Sequence, residues 1–336
     1  MTRLFWFFAI LFTIHLSRSL IPGLLVRGFW DPEYQMKVDC LRARMNEFPG
    51  HPLWLVDGSS RVYFGLQPGL EADRLADKNA PLIFNFGMLG ADLFRQLICL
   101  NRLIEEGIKP QRVCIEIHQI ALAQQRSSFI EMTPLVPRAR WNELATYYLY
   151  SPEPSRVLFW WLRSRFDPAF AIGVKVDHPP LFSKPPIPSD KWGWGGITVE
   201  NWLPRQAADR ANYPRLLESA RQNYEEEFKQ SFSIAPSPDR ALRQILDLCR
   251  KNGIDAVLFG MPEAKDFQAF YPAGSDAVIS NYLGGIEKEY HVPMIDGRQW
   301  LPDAADFADG HHLNPPGSEK FTRRFIDELL KLPRAS

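Results

Sequence analysis

Short apolar runs alternate with amphipathic stretches along this chain, and the alternation resumes after a long middle segment of different character. Apolar runs at 52–56, 81–85 and 112–117 each end in polar or glycine-containing text, as buried strands do. Residues 91–106 carry apolar side chains at helical spacing and stop at Gly107. A helix between two strands is the usual crossover of a parallel pair, so the pattern predicts an α/β fold.

The alternation returns in the C-terminal third of the chain. Helices are expected over 237–252, over 276–290 and from 314 onward, and strands over 256–259 and 292–295. Ser237 is a good N-cap with Pro238 at the first helical position. Five short strands with covering helices predict a three-layer α/β/α sandwich around a mainly parallel five-stranded sheet, formed by residues 27–122 and 237–336.

The middle segment, residues 123–236, predicts a large insertion of helices and loops that caps the sheet. It holds six of the ten tryptophans and several proline pairs, which favour extended loops between short helices. An insertion of this kind in a doubly wound sheet normally lies near the carboxyl edge, where ligands bind. Aromatic faces suit sugar rings, although the tryptophans can equally pack the core of the insertion itself.

The N-terminus predicts an exported protein. Arg3 precedes an unbroken apolar run, Leu4–Phe12, which has the length of a signal-peptide core. A second apolar patch, Leu20–Val26, would turn residues 1–26 into an uncleaved membrane anchor. Either form predicts a periplasmic protein, or one anchored to the outer face of the inner membrane and associated with it through its N-terminus. A buried N-terminal helix in a cytosolic protein is the alternative.

Composition and cysteine spacing exclude several classes of function. Lysine plus arginine equals aspartate plus glutamate at 39 each, so nothing predicts a nucleic-acid partner. The four cysteines lie far apart without a CxxC pair, which makes a zinc ribbon or a disulfide framework a poor interpretation. The sequence has no HExxH motif and no phosphate-binding loop, so no metal and no cofactor are expected.

Two strand-ending turns carry residues suited to ester chemistry. Ser60 lies in Gly-Ser-Ser after the first strand, where its hydroxyl would be presented at the carboxyl edge of the sheet. A serine that merely caps a helix would look the same in sequence. Residues 85–90, Asn-Phe-Gly-Met-Leu-Gly, follow the second strand, and their glycines would let backbone N–H groups approach a ligand. A plain strand-to-helix turn is the alternative there.

A third segment, Asp309-Gly310-His311-His312-Leu313-Asn314, precedes the final helix. An aspartate three residues before a histidine can hold the Nδ1–H of the imidazole and leave Nε2 free to take a proton from a serine. The alternatives are an aspartate that caps a turn beside exposed histidines, or a metal site, for which a second ligand cluster is missing.

Taken together, these segments resemble the SGNH/GDSL hydrolases. The resemblance covers residues 50–122 and 237–332, and the run from Asp309 to Gly317 is similar to the DxxHLNxxG ending of exported bacterial SGNH-like proteins, some of which act in the acylation of cell-surface polysaccharides. It implies an SGNH/flavodoxin-like sheet. It also implies a catalytic triad of Ser60 as nucleophile, His312 as base and Asp309 as its orienter, with an oxyanion hole from the backbone N–H groups of Ser60 and Gly90.

The chain departs from the family pattern at two positions. Ser59 stands where the GDS motif has aspartate, a variation common among SGNH-like relatives. After the third strand the family has an asparagine as oxyanion donor, whereas this chain reads Glu116-Ile117-His118-Gln119. Gln119 is the predicted substitute donor, and His118 is the alternative. The loss of one such donor costs about 10²–10³ in rate.

The resemblance implies an exported serine esterase or O-acyltransferase acting on a small-molecule or carbohydrate acyl ester, with a cell-surface carbohydrate as a candidate. The alternative is a non-catalytic binding or assembly protein of the cell envelope that keeps the SGNH fold. The altered third motif favours that alternative, whereas the serine, histidine and aspartate favour the enzyme.

Overall fold

A computed structural model of the chain describes residues 30–123, 136–151, 154–166, 189–196, 210–229 and 231–333, together with residues 5–7, 10 and 13. The predicted signal or anchor segment, residues 1–26, therefore lies outside the described residues except at those five positions. Within the described part, no helix has both the length and the apolar character needed to cross a bilayer.

The centre of the fold is a five-stranded sheet in which every pair of neighbours is parallel. The strands are β1 (Leu53–Asp57), β2 (Leu82–Asn85), β3 (Arg112–Glu116), β4 (Asp255–Gly260) and β5 (Met294–Asp296), and their order across the sheet is β2-β1-β3-β4-β5. Leu55 in β1 pairs with Phe84 on one side and Val113 on the other. The predicted α/β fold with a five-stranded parallel sheet is confirmed.

The described residues also form helices, and those in the same compact unit as the strands flank the sheet. The helices are α1 (Pro32–Glu47), α2 (Ser60–Gly65), α3 (Leu93–Glu105), α4 (Leu144–Tyr150), α5 (Pro154–Phe166), α6 (Tyr213–Asn223), α7 (Glu225–Lys229), α8 (Pro236–Asn252), α9 (Lys265–Gln268), α10 (Ser275–Tyr290) and α11 (Pro315–Lys331). The expected N-cap of α8 was wrong. The cap is Ala235 rather than Ser237, because Pro236 already fits the first turn, where a missing N–H costs nothing.

The strand order explains where a ligand would bind. The chain leaves β1 for the edge strand β2 and then returns to β3 on the opposite side of β1. Connections that leave two adjacent parallel strands in opposite directions open a crevice at their carboxyl ends. Below that crevice the core is dry, since Val56, Cys114 and Val257 on the three central strands are all fully buried. The topology therefore assigns the carboxyl ends of β1 and β3 to the site.

The chain divides into two compact units. One unit, here called the helical unit, comprises residues 1–36 and 126–187, and the other, the sheet unit, comprises residues 37–125 and 188–336. Inside the helical unit, Arg165 of α5 donates to the carbonyl oxygens of Pro137 and Ala139 at 2.9 and 2.8 Å. The predicted domain borders at residues 122 and 237 stay a prediction.

Candidate active site

The turn after β1 separates two adjacent serines into two roles. Ser59 is the N-cap of α2, and its hydroxyl accepts the backbone N–H of Arg61 at 3.2 Å. Ser60 is the first residue of the helix, so its own hydroxyl is not needed for the cap. The turn therefore uses Ser59 for the helix cap, and the role of the Ser60 hydroxyl stays a prediction.

Three of the predicted side chains form one hydrogen-bonded chain across the site. Ser60 Oγ lies 2.8 Å from His312 Nε2, and His312 Nδ1 lies 2.8 Å from Asp309 Oδ2. The second oxygen of Asp309 accepts the backbone N–H groups of His312 at 2.8 Å and of His311 at 3.2 Å. A carboxylate that accepts the Nδ1–H leaves the Nε2 lone pair facing the serine hydroxyl.

The loop that carries these residues is tight because Gly310 has a φ of +91°, in the left-handed region that favours glycine. Burial alone would raise the pKa of the Asp309 carboxyl, but the neighbouring rings of His311 and His312 and the hydrogen bonds from His312 hold this pKa below its ordinary value. Asp309 therefore stays ionised while buried, as an orienting carboxylate must.

His311 is held neutral in the same loop. Burial lowers the pKa of its ring to about 3, against the opposing attraction of Asp309, and the charges of His312 and Arg61 add to the lowering. The ring lies among Tyr224 and Phe267, with ring centroids 5.8 and 4.8 Å away. The apolar surroundings explain why this histidine is neutral near neutral pH in the folded protein.

We expect the acid stability of the protein to depend on His311. Below about pH 6.5 the unfolded chain binds a proton at this ring, whereas the folded chain resists protonation down to a pKa of about 3. Within that window the unfolded state binds more protons, so the free energy of unfolding falls as the pH falls. Replacing His311 by leucine should reduce that slope by about one proton in urea titrations between these pH values. An unchanged slope would contradict the buried, neutral assignment.

The turn after β2 is hydrogen-bonded to α2, the helix that begins at Ser60. Asn85 is buried, and its side-chain NH₂ donates to the carbonyl oxygens of Val62 and Leu66, both at 2.7 Å. Its Oδ1 accepts the N–H of Gly87 at 2.9 Å. A Cβ atom on Gly87 would lie 2.5 Å from the backbone nitrogen of Tyr63, so only glycine fits there. The asparagine and first glycine of the motif are thus structural.

Gly90, the predicted oxyanion donor of this turn, has a φ of +64°. No atom lies within 4 Å of the place where its Cβ would be, so this side of the turn is open. Within the described part of the chain, the backbone N–H groups of Ser60 and Gly90 donate no hydrogen bond. The N–H of Ser60 is therefore available to a bound group, and the role of Gly90 as second donor stays a prediction.

After β3, the side chains of Gln119 and His118 lie in different surroundings. Gln119 is buried, and its amide nitrogen lies 3.3 Å from the place that a Cβ on Gly260 would occupy. In the described part, Gln119 makes no hydrogen bond to Ser60, and its donor role stays a prediction. The His118 ring is stacked on that of His311 with centroids 6.1 Å apart. Burial, and then the charge of Arg61, lower its pKa well below the ordinary value.

Buried charges behind the serine were missed by the sequence analysis. Arg61 lies with its Nε 3.7 Å from Glu116 Oε1 and its Nη1 3.4 Å from Glu263 Oε1, and all three side chains are buried. The other oxygen of Glu116 accepts the backbone N–H of Ser59 at 2.6 Å. Glu116 thus supplies, from β3, a carboxylate at the turn that carries the two serines. The sequence did contain one indication of this buried charge, because Glu116 stands inside the otherwise apolar run at 112–117.

We expect Glu116→Gln to destabilise the protein by about 3 kcal/mol, because it leaves the buried Arg61 with one carboxylate instead of two. The amide oxygen of the glutamine can still accept the Ser59 N–H, so the loss of stability measures the effect of removing the carboxylate charge. Unfolding in urea measures the change, with Glu225→Gln as the matched control, since Glu225 pairs with Lys229 at 2.7 Å on the exposed face of a helix. Equal effects of the two variants would contradict a buried ion pair.

Asp309, His311 and His312 also offer three potential metal-ligating atoms within 4.8 Å of one another, as the one such group among the described residues. Two of those side chains are already hydrogen-bonded to each other. The expectation of no metal stays a prediction.

The tryptophans of the middle segment serve the sheet unit where the structure describes them there. Trp192 is buried, and its carbonyl oxygen accepts the N–H of Asn85 at 3.0 Å. The indole N–H of Trp194 donates to the carbonyl oxygen of Phe64 at 2.7 Å, near the C-terminal end of α2. Trp202 lies outside the described residues. These two tryptophans therefore stabilise the end of β2 and the helix α2, which carries Ser60.

Comparison with known proteins gives distant likenesses to solved structures. No protein-family model matches the chain, and no curated protein is significantly similar to it in sequence. The solved structures that resemble it include the crystal structure of a "putative acylhydrolase" from Bacteroides fragilis NCTC 9343, with 12% sequence identity, a TM-score of 0.36, and coverage of 86% of this chain and 95% of that one. At this distance, no activity is inferred from that protein.

Proposed function

We propose that this chain is a serine hydrolase of the ester-active kind, with Ser60 as nucleophile, His312 as general base and Asp309 as its orienter. The observation that carries the proposal is the chain of two 2.8 Å contacts from the Ser60 hydroxyl through His312 to Asp309. The residues come from opposite ends of the sequence, and hydrogen bonds between nucleophile, base and orienter are the mark of such a triad.

The chemistry follows from the order of these groups. Ser60 Oγ attacks the acyl carbonyl carbon while its proton passes to His312 Nε2, and the Asp309 carboxylate stabilises the imidazolium that forms. Collapse of the tetrahedral intermediate breaks the ester bond, and His312 returns the proton to the leaving alcohol. The acyl group is then an ester on Ser60. A water or a sugar hydroxyl attacks that ester with His312 as base, which gives hydrolysis or O-acyl transfer.

Two backbone donors support stabilisation of the oxyanion. The N–H groups of Ser60 and Gly90 make no hydrogen bond in the described part of the chain, and donors of this kind are worth most where negative charge develops.

We expect Gln119→Ala to lower kcat by about 10²-fold with little change in KM, as for a donor used mainly in the transition state. His118→Ala is the companion variant, since its ring is the alternative donor. Steady-state hydrolysis of a short acyl ester measures both. If kcat is unchanged in Gln119→Ala, that residue is not the third donor.

The test of the function itself is covalent labelling with a fluorophosphonate, together with hydrolysis of p-nitrophenyl esters of increasing chain length. Labelling and turnover are expected, and turnover should persist in the presence of a chelator. Adding an oligosaccharide acceptor distinguishes transfer, which yields an acylated sugar, from hydrolysis. Absence of both labelling and turnover would favour the alternative, a binding or assembly protein of the cell envelope.

For the location of the protein we infer export, with the N-terminal apolar segment as signal or anchor. The support is the run Leu4–Phe12 after Arg3, together with the second patch at Leu20–Val26. Fractionation of cells into periplasm and membranes, before and after removal of residues 1–26, tests this inference.

A further inference from the structure

The hairpin of α4 and α5 in the helical unit exposes large apolar side chains to solvent. Four of them form what is here called the hairpin patch, namely Leu149 (62% exposed), Phe159 (59%), Leu162 (39%) and Leu158 (37%). The opposite side of α5 is well packed, since Val157 is fully buried and the Trp161 indole N–H donates to the carbonyl oxygen of Ala139 at 2.9 Å. The hairpin is therefore a folded element with one apolar side left outward.

The exposed charged side chains that the structure describes on the hairpin are basic. Among the described residues between 136 and 166, the only acidic side chain is Glu143, which is buried and accepts the backbone N–H of Arg140 at 2.7 Å. Arg156 and Arg163 of α5 are exposed, and they lie 6.0 and 5.2 Å from the ring of Trp160. An exposed surface of leucine, phenylalanine and arginine matches the interface of an anionic bilayer.

The hairpin is also fastened to the chain where the N-terminal apolar segment ends. The guanidinium of Arg165 lies 3.8 Å above the ring of Trp30, and Arg138 Nη1 lies 3.2 Å from Glu33 Oε2. Trp30 follows Val26, the last residue of the second apolar patch, by four residues. Four residues span at most about 14 Å. If that segment enters a membrane, the hairpin lies at the membrane surface.

The described residues of the N-terminal segment have the same character. Phe5, Trp6, Phe7 and Ile10 are helical, and their apolar side chains are 57–66% exposed. One weak membrane contact is reversible, whereas two together give stable attachment.

We propose that the hairpin patch docks on an anionic lipid bilayer, as a second, interfacial contact beside the N-terminal segment. Leu149, Phe159 and Leu162 enter the boundary between headgroups and acyl chains, and Arg156 and Arg163 bind lipid phosphates. The contact does not depend on the proposed ester chemistry, since none of these residues belongs to the site at Ser60.

The experiment measures insertion of the hairpin in the full chain. A bimane fluorophore on Phe159→Cys reports contact with acyl chains through quenching by brominated lipid, in vesicles of phosphatidylglycerol and phosphatidylcholine. The matched control is the same label on Val278→Cys, which replaces an apolar residue 36% exposed on α10 of the sheet unit. We expect strong quenching at position 159 and none at 278. Vesicles of phosphatidylcholine alone should give weaker quenching at 159.

Charge and apolar variants separate the two parts of the contact. Removal of two arginines in Arg156→Gln/Arg163→Gln should lower the inserted fraction about 25-fold, at about fivefold for each basic residue near an anionic surface. Leu162→Asp should abolish quenching at position 159, and circular dichroism verifies that the variants are folded. Unquenched label at 159 on vesicles that carry the protein would overturn the proposal. So would a change of the label with protein concentration in the absence of lipid, because a second copy would then cover the patch.

Discussion

In Ser60→Ala we expect covalent labelling by a fluorophosphonate to disappear and turnover of an acyl ester to fall about 10⁶-fold, the scale at which a serine hydrolase loses its nucleophile. The physical reason is the geometry at the end of β1. Ser60 Oγ is 2.8 Å from His312 Nε2, so a single proton transfer creates the attacking oxygen. Labelling is measured by in-gel fluorescence and turnover by release of p-nitrophenol.

The chain offers a control one residue away. Ser59 carries the same hydroxyl but uses it to accept the N–H of Arg61 at the start of α2. Ser59→Ala should keep the covalent label and lose about 1 kcal/mol of stability, as expected for removal of a helix cap. If labelling persists in Ser60→Ala, or disappears in Ser59→Ala alone, the assignment of Ser60 as nucleophile is wrong. The binding protein is then the better interpretation.

The sheet could be predicted because buried parallel strands are written as continuous apolar runs. Leu53–Asp57 and Arg112–Glu116 stand out between turns, and Gly107 and Gly253 mark the ends of their neighbouring helices. The strand order β2-β1-β3-β4-β5 is known only from the structure, because right-handed crossovers are compatible with more than one order of parallel strands. Position at one sheet edge then brings Ser60 and the loop at 309–312 together despite their separation in the chain.

The partners of these residues could not be predicted because they depend on packing. Nothing in the sequence relates Glu116 to the N–H of Ser59, or Asn85 to the carbonyl oxygens of Val62 and Leu66. In each pair, one buried polar group supplies the hydrogen bond that the other would lack once burial has removed it from water. Likewise, the indole of Trp194 reaches the carbonyl oxygen of Phe64 only after the chain returns from the middle segment.

The two adjacent histidines give the sharpest test of the base. We expect His312→Ala to lower kcat by about 10⁶-fold, as for loss of the nucleophile, because the two act as one unit. Asp309→Asn should lower it about 10⁴-fold, since an amide holds the wrong tautomer of the imidazole. Both changes should be seen in kcat at saturating ester, with the fold verified by circular dichroism.

His311→Ala should lower kcat by less than about 10-fold, a loss caused by packing rather than by chemistry. Its ring centroid is only 4.1 Å from that of His312, yet its Nδ1 stands 3.5 Å from Asp309 Oδ1, beyond a good hydrogen bond, and its pKa of about 3 makes it a poor proton acceptor near neutral pH. The two rings thus differ in their access to Ser60, although they are neighbours in sequence and in space. The reverse ranking of the two alanine variants would move the base to His311, and it would require the loop around Gly310 to rearrange when an ester binds.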